Sequence, residues 1–103
     1  MPVTDLGPWT NPALLILTSL AGGPKHGYAM MEDIAAIASV QLGPGTLYGV
    51  IARLELHGWI EALPASDRRH PYQLTAAGLS VLREHLAILE RFAATGLERV
   101  AAL

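Results

Sequence analysis

The chain has 103 residues, enough for one domain with a modest core, and chains this short often gain stability by oligomerising. Half of it is hydrophobic (51%) and 16% is charged, which excludes a disordered tail or a nucleic-acid-coating peptide. There is no cysteine, so a disulfide scaffold, a thiolate zinc site and a cysteine nucleophile are excluded too, and the formal net charge of −2 counts against nucleic-acid binding, so any such reading must come from where the few cations sit.

Met1 to Asn11 has no basic start and no long apolar run, so it does not read as a signal peptide. The longest uninterrupted apolar stretch, Ala13 to Leu17, is too short to span a bilayer. A soluble, cytoplasmic protein with no membrane partner is the expectation. Asn11 is placed to cap a first helix, Pro12 suits its first position, and Gly22, Gly23 and Pro24 stop it. A second helix is predicted from Gly27 to Ala38, with Met30, Ile34 and Ile37 on one face.

Pro44 opens a third helix, with Gly43 as a poor cap. Leu47, Val50, Ile51 and Leu54 form its inner side, and Gly58 closes it at C′. The period then changes. Trp59 to Leu63 and Tyr72 to Leu74 read as the strands of a β-hairpin, with Pro64 to Pro71 as its loop. Thr75 caps a last helix reaching toward Leu103, which would extend about 43 Å at the usual rise. Its apolar positions, Leu79, Leu82, Leu86, Leu89, Ala93, Gly96, Val100 and Leu103, alternate steps of three and four, as a heptad seam does. A domain of this size does not bury such a helix alone, so Leu79, Leu82, Leu86, Leu89, Ala93 and Val100 are the expected dimerisation residues. Thr95 and Gly96 are the points where the helix is most prone to bend or end.

The predicted fold is therefore mainly α with a small β-hairpin: a winged helix-turn-helix with a long C-terminal dimerisation helix. Residues 1–74 would form the DNA-binding domain and 75–103 the dimerisation helix, packed with the first helix as one unit. In that geometry the third helix enters the major groove of double-stranded DNA and the wing touches the flanking backbone. Gly45, Thr46, Tyr48, Gly49 and Arg53 lie on the outer side or tip of the third helix, and small residues there allow close approach to base edges. Lys25, Tyr28, Arg68 and Arg69 are the candidate phosphate contacts. Arg83, Arg91 and Arg99 sit beside Glu84, Glu90 and Glu98 and cancel. A dimer doubles the useful cations and makes a pseudo-palindromic operator the expected partner.

His26-Gly27-Tyr28, Pro44-Gly45-Thr46-Leu47-Tyr48, Arg53-Leu54, Gly58-Trp59-Ile60, Tyr72-Gln73-Leu74-Thr75 and Gly78 together resemble the PadR family of transcriptional regulators, over roughly Leu14 to Leu89. The resemblance implies a dimeric repressor joined through its last helix, in some members responsive to a small aromatic or hydrophobic effector. Gly43 stands where that family usually has Ser, Gly49 where Pro or a larger residue is commoner, and Arg68-Arg69-His70-Pro71 is less basic than the usual wing. These departures motivate the rival expectation of a winged-helix protein-interaction module without strong DNA binding.

Trp9 and Phe92 are the candidates for an effector pocket, although such aromatics commonly just complete a core. The histidines at 26, 57, 70 and 85 are too scattered for a metal site. With no phosphate-binding loop of the Walker type and no plausible triad, neither a cofactor nor enzymatic activity is expected.

Overall fold

A computed structural model of the chain describes residues 11–65 and 70–103. Helix α1 (Pro12–Ala21) starts where its residues dictate: the Asn11 side chain accepts from the Ala13 amide at 2.8 Å and Pro12 occupies the first helical turn. Leu15, Ile16, Leu17 and Leu20 are buried, so this short helix runs through the centre of the domain. Gly23, at φ 125°, makes the turn that ends it, a conformation that favours glycine.

Helix α2 (Gly27–Ala38) is capped by the His26 side chain and ends at Ser39 in the left-handed region. Met30 and Ile34 are fully buried. Ile37, expected beside them, is instead 55% exposed. It lies in line with Met30 around the axis, but in the last turn only Ala38 still packs against the core.

Helix α3 (Pro44–Leu56) buries the four predicted residues, Leu47, Val50, Ile51 and Leu54. Gly58 follows its C-cap at φ 74°, as a C′ glycine does. Strands β1 (Ile60–Ala62) and β2 (Tyr72–Leu74) pair antiparallel, with Ile60 opposite Leu74 and Ala62 opposite Tyr72. Strand β1 is shorter than the predicted Trp59 to Leu63. Lys25 adds a bridge on the other side of β2, exchanging backbone hydrogen bonds with Tyr72 at 3.2 and 3.0 Å.

Helix α4 (Ala76–Ala101) is capped by Thr75, whose hydroxyl accepts from the Gly78 amide at 3.1 Å and donates to the Gly58 carbonyl at 2.6 Å. It runs unbroken through Thr95 and Gly96. Its 26 residues span about 39 Å. It packs against α1 and β2, but only Gly78 and Leu82 are buried within it. The architecture is three helices and a hairpin around one core, with a long helix projecting from it.

Candidate nucleic-acid interface

The outer face of α3 opposes its buried quartet. Gly45, Thr46, Tyr48, Gly49, Ala52 and Arg53 are all exposed. Gly43 offers no side-chain cap, so the first amides of α3 point outward unclaimed by a cap, at the positive end of the helix dipole. A Cβ built on Gly43, Gly45 or Gly49 meets nothing within 4 Å, and none of the three has a positive φ. Neither packing against the described residues nor backbone conformation calls for glycine there. What their smallness does provide is a surface that another molecule can approach closely.

Arg53 is exposed and free to point outward. The single ion pair among the described residues joins Lys25 and Asp33 at 3.9 Å, while Glu61 accepts from the Gln73 amide nitrogen at 2.7 Å. Tyr28, on the first turn of α2, is 59% exposed. Tyr48 is half-exposed, but its ring lies over Gly27, where an added Cβ would stand 2.6 Å from the phenol oxygen. It braces α3 against the start of α2 with its hydroxyl near the α2 N-terminus.

Lys25 departs from the expected arrangement. Its ammonium turns inward and donates to the Ser19 and Gly23 carbonyls, with the Asp33 carboxylate beside it. The reason is the end of α1: unpaired carbonyls at a helix C-terminus attract a cation. Arg68 and Arg69, the wing-tip candidates, lie outside the described residues.

Tyr72 of the wing feels the charge of α3. Burial, then the nearby Glu55 carboxylate, then Tyr48 push its phenol above the usual tyrosine range, because each disfavours the phenolate. No sequence signal indicates this electrostatic influence, since Tyr72 and Glu55 belong to different elements.

The expected dimerisation residues divide into two groups. Leu82 is only 3% exposed and belongs to the core of the chain itself, because the face of α4 carrying it and Gly78 is the one laid on the domain. Leu79, Leu86, Leu89, Ala93 and Val100 are exposed, and Ile88, Phe92 and Leu97, outside the heptad seam, extend the exposed apolar surface. An apolar groove of about 410 Å³ runs between α1 and α4, lined by Leu14, Leu17, Trp59, Val81, Ile88 and Leu89 among others. Phe92 is not among its lining residues, and Trp9 lies outside the described residues. The aromatic that does line the groove is Trp59, stacked on His57 with centroids 4.6 Å apart. Among the described residues no three His, Asp or Glu side chains gather as a metal site, and no helix is long and apolar enough to cross a membrane.

These elements define a winged helix-turn-helix. Residues 16–84 match the transcriptional regulator PadR-like family, and the chain belongs to that family. It is similar to an uncharacterised 37.1 kDa protein in transposon TN4556 of Streptomyces fradiae, 41% identical over 83 residues. That match takes in 80% of this chain and 24% of the relative, so the chain spans about a quarter of the curated relative's length. A PadR family transcription regulator from Clostridium difficile has a similar fold, with a TM-score of 0.70 at 20% identity over 84% of this chain and 97% of that one. A winged-helix DNA-binding protein from STIV superposes with a TM-score of 0.71 at 20% identity, over 77% of this chain and 87% of that one.

Proposed function

We propose that this chain is a sequence-specific DNA-binding transcriptional regulator acting as a homodimeric repressor. The observation that carries the reading is the outer face of α3, where Gly45 and Gly49 are open and Arg53 is exposed with no ion-pair partner among the described residues. Gly45, Thr46, Tyr48, Gly49 and Arg53 read a half-site in the major groove, and Tyr28 with Arg68 and Arg69 holds phosphates. Residues 1–74 are the DNA-binding unit. The exposed apolar side of α4 joins two copies, which sets the spacing of the two readers and selects a pseudo-palindromic operator. A small hydrophobic effector would act through the groove between α1 and α4, by favouring one spacing over another. Such a protein works in the cytoplasm, needs no cofactor and catalyses no reaction.

The inward turn of Lys25 favours one rival. It removes a cation from the surface and leaves the described part of the interface thinly charged, as a protein-interaction module would be.

Fluorescence anisotropy of the protein on DNA from upstream of its own gene, at several salt concentrations and against scrambled DNA, separates the two. A regulator binds its operator about a thousandfold more tightly than the control, with affinity falling as salt rises. Binding to neither DNA at low salt would overturn the regulator reading.

A further inference from the structure

We propose that Lys25 is a positioning residue and not a phosphate contact: with Ser19 and Asp33 it clamps the root of the wing to the corner between α1 and α2. The proposal rests on the reading of α3 and the wing as the DNA-binding surface.

The clamp is a closed set of polar contacts around one ammonium. Ser19 is 1% exposed, and its hydroxyl donates to Asp33 Oδ2 at 2.7 Å. The Lys25 Nζ donates to the carbonyl of that same Ser19 and to that of Gly23, 3.2 Å away, and stands 3.9 Å from Asp33 Oδ2. An ammonium has three N–H donors. Two are committed to carbonyls and the charge faces a carboxylate, so a phosphate would have to break a charge-assisted, partly buried arrangement to recruit it. The side chains of Lys25 and Asp33 are 20% and 33% exposed, which keeps screening by water low.

The main chain of the same residue holds the wing. The Lys25 amide donates to the Tyr72 carbonyl and the Tyr72 amide donates back to Lys25. Tyr72 stands at the start of β2, and its phenol lies near Glu55 and Tyr48 of α3. Lys25 therefore ties α1 and α2 through its side chain, and β2 through its backbone, where β2 packs beside α1. The turn at Gly23, φ 125°, is what delivers the side chain back over the end of α1. Losing the clamp loosens the wing root, and the wing then closes on DNA less often in register with α3.

Three variants test this, each with two readouts. Lys25→Met removes the charge and keeps the stem, Asp33→Asn removes the counter-charge, and Lys25→Arg keeps a cation. Amide hydrogen exchange at Tyr72 reports on the wing root without DNA, and salt-dependent anisotropy reports on binding. Lys25→Met and Asp33→Asn are both expected to speed Tyr72 exchange about tenfold and to weaken operator binding about three- to tenfold at every salt concentration, with the salt slope unchanged. Lys25→Arg is expected to recover part of both.

A phosphate-contacting Lys25 behaves in the opposite sense: Lys25→Met lowers the salt slope of the dimer by about two, and Asp33→Asn tightens binding by releasing the ammonium. Either result overturns the proposal, as does unchanged Tyr72 exchange in both variants. If the unaltered protein binds no DNA, the regulator reading fails, while the exchange experiment still decides the clamp. If Lys25→Met does not fold, Asp33→Asn decides it alone, because the two alternatives give it opposite signs.

Discussion

Gly78 lies directly against the carbonyl group of Trp59, so close that a Cβ on Gly78 would overlap that oxygen. The same carbonyl accepts from the Thr75 amide at 3.1 Å, so the first turn of α4 is bonded to the chain entering β1. The atoms in the way are backbone and do not swing aside. Gly78→Ala is therefore expected to destabilise the protein by about 2–3 kcal/mol, at the upper end of overpacking costs, measured by urea denaturation. Unchanged stability would mean that α4 is not seated on Trp59.

Gly49 is the contrasting case. It lies in the interior of a helix with open space around its Cα and no positive φ, so alanine there is expected to stabilise the fold by about 0.5–1 kcal/mol. The same substitution adds a methyl to the side proposed to face DNA and is expected to weaken operator binding. A variant gaining in both stability and affinity would show that the face does not approach its target closely.

The contrast between these glycines marks how far the fold was legible in the sequence. Asn11, Pro12, Pro44, Gly58 and Thr75 act on their own helix ends, so element boundaries follow from near neighbours, and the spacing of Leu47, Val50, Ile51 and Leu54 fixes the inner face of α3. The direction of the Lys25 side chain depends on Ser19 and Asp33, which only the turn after α1 brings together. Leu82 is hidden for another reason. Over three turns a heptad seam and a core-facing helical stripe have nearly the same period, and only packing against α1 separates them.

Leu82 and Leu89 are seven residues apart in the seam but are expected to fail differently. Leu82→Ala leaves a cavity in the protomer core and is expected to cost about 2–5 kcal/mol of stability. Leu89→Asp places a charge on a surface that is exposed in the protomer, and is expected to yield a folded monomer in sedimentation analysis. A dimer that survives Leu89→Asp, made together with Phe92→Asp, would move the interface away from this side of α4.

Arg68 and Arg69 are expected to add phosphate contacts at the wing tip. Changing both to alanine would weaken binding to all sequences alike and reduce the salt slope by about two per half-site, about four for the dimer. An unaltered slope would assign the phosphate contacts elsewhere.

The Tyr72 phenol predicts a loss of stability in alkali. Its pKa in the folded chain lies above its unfolded value, so the native state holds the proton more tightly. The stabilisation is fully present below the unfolded tyrosine pKa and is lost as pH rises through the folded one. Denaturation at pH 9 and pH 11 is expected to show this loss, and Tyr72→Phe is expected to reduce it. An equal loss in both proteins would place the titrating group elsewhere.

The projecting half of α4 is a lever. Leu82 is the last residue anchored in the core, and Ala101 ends the helix about 28 Å beyond it. A tilt of about 5° about Leu82 carries the far end about 2.5 Å, roughly half a helical pitch. The groove beside that fulcrum is lined by Trp59, Ile88 and Leu89, so a repacking there that tilts the helix by this angle would move the tip by about 2.5 Å. If an effector acts through the groove as proposed, mechanical gain of this kind would let an 11.0 kDa chain convert the filling of a small apolar volume into motion at a distance.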